Sequence, residues 1–351
     1  MNSSRQARIG FVGAGAHATS QLYPSLVQAP SAKLVAVCDL EAVKAERNAK
    51  LFGADRWYTD VDAMLSKEEL DGVCICGLPD MHRDVGMQVL GRKLPIFVEK
   101  PSALNPADAQ RLADAAVKAG VWGMVAFMKR HAPGYLLVKD IMATAEFGGL
   151  QQVHLQFTQG PYPDLWGFDA AHAFLVGQAV HIFDLTRFLG GDVTQVFARL
   201  KVAGQNCFGY AISVEFSSGV IGTLVLNTFD HTLPWRDITE HVHVSGVGES
   251  VDVDSMQFVT HYPARDWRPE NRQEFGIPFR AWHPNFLSTM RGRNLAGYEG
   301  ELEHFAHCLL AGTPASASLQ DGVEALKLGE AVWQSAHTGG LVSLTSVERQ
   351  R

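Results

Sequence analysis

The chain has no excess of positive charge. Its 351 residues carry 30 Lys and Arg against 37 Asp and Glu, a net charge of −7. Nucleic-acid binding needs clustered Lys and Arg, so we expect no nucleic-acid partner. The chain also lacks an apolar run near the ~18 residues of a membrane helix. Residues 1–8 are short and polar, without a secretory hydrophobic segment. These absences together predict a cytoplasmic protein that does not bind a membrane.

Cysteine is scarce. Five cysteines are scattered along the chain: Cys38, Cys74, Cys76, Cys207 and Cys308. The odd number and wide spacing favour reduced thiols over a disulfide framework. Cys74 and Cys76 alternate on a predicted strand, so their side chains point to opposite faces and cannot bind one metal ion together. His304, His307 and Cys308 have helical spacing but lack a fourth ligand. We therefore expect no metal site.

The first third of the chain alternates short apolar strands with helices. Strands are predicted at 8–12, 33–38, 72–77, 95–99 and 121–127. One connecting helix is well marked, with Asn105 as N-cap, Pro106 in the first helical position and Gly120 at the end. Pro24 predicts a kinked or short first helix because it removes a backbone donor. The alternation indicates a doubly wound parallel α/β sheet of the Rossmann type.

The pattern changes after residue 130. Apolar and polar residues alternate at 153–158 and 210–216, and residues 217–219 read as the turn of a hairpin. Two helical stretches, around 302–310 and 321–338, follow the strands. We expect a dinucleotide-binding domain at 1–130 and a substrate-binding α/β domain at 131–351 with a large open, mostly antiparallel sheet.

A glycine-rich turn follows the first predicted strand. In Gly13-x-Gly15-x-x-Ala18, the first glycine permits the tight turn and the second allows the backbone to approach a pyrophosphate. Asp39 ends the next strand, where a carboxylate accepts hydrogen bonds from the ribose hydroxyls and repels a 2′-phosphate. NAD is therefore favoured, with NADP as the alternative because Lys44 and Arg47 can reach the same place. Asp39 as a plain helix cap is the structural alternative.

Glu99-Lys100-Pro101 closes a buried apolar strand and predicts a charged pair at the sheet edge where open α/β folds bind ligands. Removing hydride from a secondary alcohol requires that the hydroxyl proton leaves or that the alkoxide is stabilised. A partly desolvated lysine has a lowered pKa and can serve either role. The alternative is a surface lysine paired with Glu99.

His181 and Asp184 stand one helical turn apart in a predicted helix start. At that spacing the Asp184 carboxylate can orient the imidazole. A single histidine on an apolar helix is, as the alternative, a satisfied core residue. The residue pattern alone leaves both interpretations of His181 open.

Taken together, four segments resemble the glucose–fructose oxidoreductase, inositol dehydrogenase and rhizopine-catabolism (Gfo/Idh/MocA) family of NAD(P)-dependent oxidoreductases. They are the turn at 13–18, Glu99-Lys100-Pro101, His181-x-x-Asp184, and Tyr298-x-x-Glu301-Leu302. The resemblance implies sugar or inositol substrates, with Lys100 and His181 around the reacting hydroxyl. It also implies a homodimer or homotetramer formed through the C-terminal sheet.

The resemblance supplies further site candidates. His82 resembles the contact to the nicotinamide ribose. The set expected to bind the cofactor is Gly13, Gly15, Ala16, His17, Asp39, Cys76, Gly77, His82, Glu99 and Lys100. The set expected to bind substrate is Arg130, Trp166, Asp169, His172 and Asp184.

The chain departs from the family at Gly177, where many members have an aspartate four residues before the histidine. Asp169 and His172 are candidates to supply the missing acid, or are plain loop residues. Trp166 offers an apolar face for a sugar ring, or packs in the core.

The sequence therefore predicts an enzyme, an NAD(P)-dependent dehydrogenase or reductase acting on a sugar, glycoside or cyclitol. One alternative is a non-catalytic sensor of dinucleotide and sugar on the same fold. Another keeps the enzyme but makes oxidation of a ring hydroxyl the opening of glycosidic-bond cleavage, or reduces an aldose. The isomer of Pro101 is not predicted.

Overall fold

The computed structural model describes residues 5–229, 238–263, 279–283 and 292–344. The chain forms two compact units. The first consists of Met1–His131 and Gly292–Leu326, and the second of Ala132–Arg291 and Lys327–Arg351. Residues 292–326 thus lie with the first unit, whereas the predicted domain boundary near residue 130 assigned them to the second domain. No helix within the described ranges is long and apolar enough to cross a membrane.

The first unit contains a six-stranded sheet in the order β3-β2-β1-β4-β5-β6, and every neighbouring pair is parallel. Its strands are β1 (Ala7–Val12), β2 (Ala32–Cys38), β3 (Arg56–Tyr58), β4 (Gly72–Ile75), β5 (Ile96–Val98) and β6 (Gly123–Val125). This confirms the doubly wound parallel sheet. The edge strand β3 was not predicted because its three residues are mostly exposed and form no apolar run.

The second unit contains a nine-stranded sheet in the order β14-β13-β12-β11-β7-β10-β9-β8-β15. Its strands are β7 (Gln152–Gln159), β8 (Val193–Gly204), β9 (Cys207–Phe216), β10 (Ile221–Asn227), β11 (Ile238–Ser245), β12 (Ser250–Asp254), β13 (Phe258–Tyr262), β14 (Arg280–Trp282) and β15 (Val342–Ser343). The predicted hairpin joins β9 and β10 as antiparallel neighbours. Only β7 and β10 pair in parallel among the described strands of this sheet, so the mostly antiparallel sheet is confirmed.

The helices follow the punctuation of the sequence. They are α1 (Tyr23–Leu26), α2 (Ala42–Phe52), α3 (Val61–Lys67), α4 (Pro79–Gly91), α5 (Pro106–Ala119), α6 (Pro133–Met142), α7 (Ala170–Gly177), α8 (Val180–Gly190), α9 (Gly292–Ala296), α10 (Tyr298–Ala311) and α11 (Leu319–Thr338). Asn105 caps α5 by accepting the Asp108 amide at 2.9 Å, and Gly120 ends it at φ 71°. Near Pro24, a π-helical turn at Ala18–Leu22 leads into the short α1, as predicted.

The apolar stripe of α10 explains why the late segment belongs to the first unit. Leu302, Phe305 and Ala306 are completely buried. The Phe305 ring packs against Phe97 of β5, with ring centroids 5.7 Å apart. Burial of these side chains stabilises α10 against the parallel sheet.

Candidate active site

The turn after β1 requires glycine at one position and leaves space at another. Gly13 has φ 103°, and a Cβ built there would lie 1.8 Å from the Cys76 carbonyl oxygen. Only glycine combines that backbone conformation with that close approach. A Cβ at Gly15 would meet nothing within 4 Å. The Tyr23 hydroxyl donates to the Gly13 carbonyl at 2.9 Å and holds the turn from behind.

Asp39 is fixed at the end of β2 by two backbone donors. Its carboxylate accepts the Ala14 amide at 2.7 Å and the Glu41 amide at 2.9 Å. This joins the glycine turn to the start of α2. The neighbouring Lys44 forms an ion pair with Glu41. The positive charge of Lys44 is therefore already matched by a carboxylate beside Asp39. That arrangement suits ribose hydroxyls better than a 2′-phosphate.

A cavity of about 600 Å³ lies along these residues, within the range of ligand pockets. The predicted cofactor residues that line it are Gly13, Gly15, Ala16, His17, Asp39, Cys76 and Gly77. Sequence reasoning did not assign other lining residues, namely Leu40, Glu41, Thr59, Val61, Leu78, Met81 and Val85. Most of them follow the ends of β2, β3 and β4, which is the signal that could have found them. The open glycine turn and the adjacent carboxylate fit a dinucleotide.

Glu99 is a buried carboxylate with a partner for each oxygen. The His17 Nε2 atom lies 3.0 Å from Glu99 Oε1, and the Lys100 amide donates to Oε2 at 2.8 Å. Burial alone raises the pKa of Glu99. The hydrogen bond from His17 and the nearby charges of His17, Lys100 and His82 outweigh burial and hold the pKa below its usual range. Glu99 is therefore ionised at neutral pH.

Lys100 is half-buried beside this carboxylate, and the Lys100–Pro101 peptide bond is cis. Desolvation lowers the pKa of its ammonium, and the charge of Lys129 lowers it further, against the opposing effect of Glu99. Burial raises the pKa of the nearby Cys76 thiol, which lines the cavity, so this thiol is neutral beside the ammonium. A lysine in this state is suited to proton exchange or alkoxide stabilisation.

His82 is buried and has both ring nitrogens engaged with the backbone. Its Nε2 accepts the Gly77 amide at 2.9 Å, so Nδ1 carries the proton and donates to the Pro101 carbonyl at 2.8 Å. Burial lowers the pKa of His82, which keeps the ring neutral. The ring therefore links the turn after β4 to the segment after β5.

Glu301 on α10 is completely buried, and neither of its carboxyl oxygens has a hydrogen-bond partner within the described part of the chain. Burial raises its pKa well above the usual value, and the charge of Glu99 raises it further. Glu301 is therefore a neutral acid close to an ionised one. Arg130, expected at the substrate, pairs with Asp321 at 3.4 Å within the first unit.

In the second unit, α8 carries both His181 and Asp184, and both are buried. Asp169 caps α7 by accepting the His172 amide at 3.0 Å. The His172 imidazole lies 3.0 Å from Glu330 and stacks on Trp333, with ring centroids 4.3 Å apart. Both candidate replacements for an acid at 177 thus have partners inside the unit.

The side chain of Trp166 lies against Gly177, the last residue of α7. A Cβ at Gly177 would lie 2.8 Å from the Trp166 ring and 2.5 Å from the Tyr162 hydroxyl. Tyr162 was not among the predicted site residues. Its only sequence signal is its place in the loop before α7. Within the described residues, no group of three His, Cys, Asp or Glu side chains is arranged to hold a metal ion.

Two family models match the chain. Residues 7–127 match a model described as an oxidoreductase family with an NAD-binding Rossmann fold. Residues 135–246 match a GFO/IDH/MocA C-terminal domain. The first match covers the glycine turn, Asp39 and Lys100, and the second covers His181.

Named relatives are similar over most of their length. A D-apiose dehydrogenase from Paraburkholderia graminis is 26% identical, over 91% of this chain and 85% of the relative. A myo-inositol 2-dehydrogenase from Thermotoga maritima is 24% identical, over 97% and 99%. The crystal structure of a dehydrogenase from Chromobacterium violaceum has a TM-score of 0.87 at 23% identity, over 96% of this chain and 97% of that one. This likeness shows a shared fold.

Proposed function

The chain belongs to the GFO/IDH/MocA family of oxidoreductases, and we propose that it oxidises a secondary hydroxyl of a sugar or cyclitol with NAD. The relatives named as apiose and inositol dehydrogenases support this class of substrate. The observation that carries the proposal is the position of Lys100 directly after Glu99, because the Glu99 carboxylate is hydrogen-bonded at 3.0 Å to His17, which lines the dinucleotide cavity.

The residues of the first unit that hold the cofactor are the glycine turn, Asp39 and the cavity wall around Cys76 and Gly77. NAD, when bound there, supplies the hydride acceptor. Asp39 accepts hydrogen bonds from the ribose hydroxyls. A 2′-phosphate would need a positive charge at this place, and the ammonium of Lys44 is already paired with Glu41.

Lys100 stabilises the oxygen of the substrate as negative charge develops on it. The lowered pKa of its ammonium supports this role, because a weaker base gives up or shares its proton more readily near neutral pH. Glu99 keeps a negative charge beside Lys100 and so limits that fall in pKa. His17 in turn keeps Glu99 ionised through its hydrogen bond.

His181 takes the proton of the reacting hydroxyl. It lies near the start of α8, a helix whose described residues are nearly all buried. A buried imidazole has few competing water contacts, so its proton exchange is directed to the substrate. Asp184, one turn further along, is placed on the same helix and contributes negative charge near the imidazolium.

A second copy of the chain is proposed to pack on the outer face of the nine-stranded sheet. Ile221 and Val225 of β10 both lie on that face and are 55% and 38% exposed. Apolar side chains on a sheet face stabilise association when they are covered. Light scattering of the purified chain, compared with Ile221→Lys, tests this: the variant should have the lower mass.

The proposed function is tested by mixing the protein with NAD and a panel of cyclitols, aldoses and alditols while following the absorbance of reduced cofactor. The expected result is turnover with at least one ring polyol, and weaker turnover when NADP replaces NAD. Calorimetric titration with NADH accompanies the assay. Cofactor binding without turnover of any polyol would instead favour the sensor alternative.

A further inference from the structure

Gly177 is the last residue of α7, four residues before His181. It is buried, and its φ lies outside the left-handed region that favours glycine. A Cβ there would lie 2.5 Å from the Tyr162 hydroxyl and 2.8 Å from the Trp166 ring. The space that a side chain at 177 would occupy is therefore filled by Tyr162 and Trp166, and the backbone conformation itself does not demand glycine.

The loop that carries the two rings is held in a strained shape. Trp166 has φ 55° and Gly167 has φ 83°. A non-glycine residue in this region is strained and persists only where its surroundings impose it. The turn is closed by two backbone hydrogen bonds between Leu165 and Phe168, at 3.2 and 2.9 Å. Such strain is concentrated at binding and catalytic sites.

Tyr162 is positioned through its ring and its backbone. The ring packs edge-on against Phe174 of α7, with centroids 5.5 Å apart and planes at 80°. The Tyr162 amide donates to the Asn206 carbonyl at 3.2 Å, which ties the loop to the turn between β8 and β9. Both contacts lie within the second unit, so this unit alone fixes the phenol against Gly177.

The Tyr162 hydroxyl has no hydrogen-bond partner in the ranges that the structure describes. By contrast, the hydroxyls of the buried Tyr23, Tyr135 and Tyr210 each bond to a protein acceptor. Tyr162 is half-buried, and burial raises its pKa to about 12. The phenol is therefore neutral at physiological pH and can both donate and accept a hydrogen bond.

We propose that Tyr162 and Trp166 together determine substrate specificity: the Tyr162 hydroxyl bonds to one hydroxyl of the polyol, and the Trp166 indole covers the C–H face of a ring. The proposal rests on the proposed function, because it takes from it that the ligand is a polyol. A ring polyol has a flat apolar face and few rotatable bonds, so it loses less entropy on this surface than an open-chain polyol. The expected substrate class is a pyranose or cyclitol.

The first test is Tyr162→Phe, which removes only the hydroxyl. With the ring polyol that the wild type turns over, KM should rise about fivefold to tenfold with kcat within about twofold, as expected for one lost hydrogen bond. Mono-deoxy analogues of that polyol distinguish a hydrogen bond to substrate from a purely structural role of Tyr162, because a structural role would not change how kcat/KM depends on the missing hydroxyl. One analogue should cost the wild type about tenfold in kcat/KM and the Phe variant almost nothing. Tyr262→Phe on β13 is the matched control.

The second test is Gly177→Ala, which pushes a methyl group into the two rings. Both contacted atoms are at the ends of side chains in a loop, so the rings can move without unfolding α7. The ratio of kcat/KM for D-glucose over D-glucitol, or of their binding constants, should fall about tenfold or more from lost ring contacts. Gly160→Ala is the control, since a Cβ there meets nothing within 4 Å.

The outcomes separate this inference from the proposed function. Binding of D-glucose and myo-inositol to the NADH-loaded protein is measured by calorimetry alongside turnover. Polyol binding that Tyr162→Phe weakens, without turnover in the wild type, would support the inference and reject the proposed function. If the wild type and Tyr162→Phe turn over the polyol with equal KM, and if kcat/KM depends in the same way on which hydroxyl is missing, the inference alone is rejected. No polyol binding by the wild type would reject both.

Discussion

The Nε2 atom of His17 lies 3.0 Å from Oε1 of Glu99. Because a carboxylate only accepts, the histidine donates, and its proton is on Nε2. The glycine turn after β1 is thereby joined to the Glu99-Lys100 pair after β5. Through this contact, a residue that lines the dinucleotide cavity controls the charge next to the proposed catalytic lysine.

Glu99→Gln should shift the pH dependence of the reaction. Glu99 raises the pKa of Lys100 against the effect of burial. Without that charge the ammonium loses its proton at lower pH, so the limb of the kcat/KM profile that reports Lys100 should move toward acid. The measurement is kcat/KM against pH, with the exposed Glu69→Gln as control. Superimposable limbs in the wild type and the Glu99 variant would contradict this coupling.

Lys100→Met should reduce kcat by about 10²-fold to 10⁴-fold, the usual range for loss of acid–base assistance. NADH affinity should change little, because the glycine turn and Asp39 are untouched. Steady-state kinetics and NADH titration measure the two effects. Lys118→Met, at the exposed end of α5, is the matched control. A Lys100 variant that retains turnover within a few-fold of the wild type would remove this residue from the mechanism.

His181→Gln should also reduce kcat, by about 10²-fold or more at neutral pH. The loss should shrink as pH rises, because solvent hydroxide then competes for the proton of the hydroxyl. The slope of log kcat against pH is the readout, since damage to folding alone would lower the whole curve evenly. A variant curve parallel to that of the wild type would exclude His181 as the proton acceptor.

Gly13→Ala should lower the stability of the protein, whereas Gly15→Ala should weaken the binding of NADH. A Cβ at Gly13 would overlap the Cys76 carbonyl, at 1.8 Å, with φ at 103°. We expect this variant to lose about 3 kcal/mol or more of stability. Gly15→Ala meets no protein atom within 4 Å, so it should fold normally and bind NADH about tenfold more weakly or worse. Urea denaturation and NADH titration distinguish them. Equal stability in both variants would contradict this interpretation of the turn.

Glu301→Gln should remove a pH dependence of stability. Folding raises the pKa of Glu301, so the folded protein holds a proton that the unfolded chain releases above about pH 4.3. The free energy of unfolding must then fall as pH rises above that value, through the pKa of the folded state. The Gln variant cannot titrate and should lack this fall. Urea denaturation between pH 5 and 8 measures it, with Glu69→Gln as control. Parallel curves for the wild type and Glu301→Gln would show that Glu301 does not carry the extra proton.

Local signals in the sequence predicted elements of both units. The strand before the glycine turn, the helix from Asn105 to Gly120 and the hairpin at 217–219 were all recovered. Each depends on residues close together in the chain, such as a cap, a proline or a run of apolar side chains. The strand β3 was missed because its residues are exposed and its pairing with β2 provides the stabilisation.

Contacts between distant residues were beyond local patterns. The His17–Glu99 bond joins residues 82 positions apart, and the Glu301 carboxyl is buried near Glu99 only because α10 packs on the first sheet. Tyr162 carried no motif at all. Its importance comes from the missing side chain at Gly177, and a glycine in a sequence does not tell which ring fills the space it leaves.

The sequence by itself determined the class of this protein: a parallel dinucleotide-binding sheet, a lysine after the predicted strand at 95–99, and a resemblance to a family of sugar and cyclitol oxidoreductases. Those features are local because turns, caps and strand ends depend on neighbouring residues. Only the tertiary structure decided which carboxyl groups are charged and which rings cover Gly177. Desolvation and ring packing depend on atoms brought together from separate parts of the chain, and no local pattern specifies them.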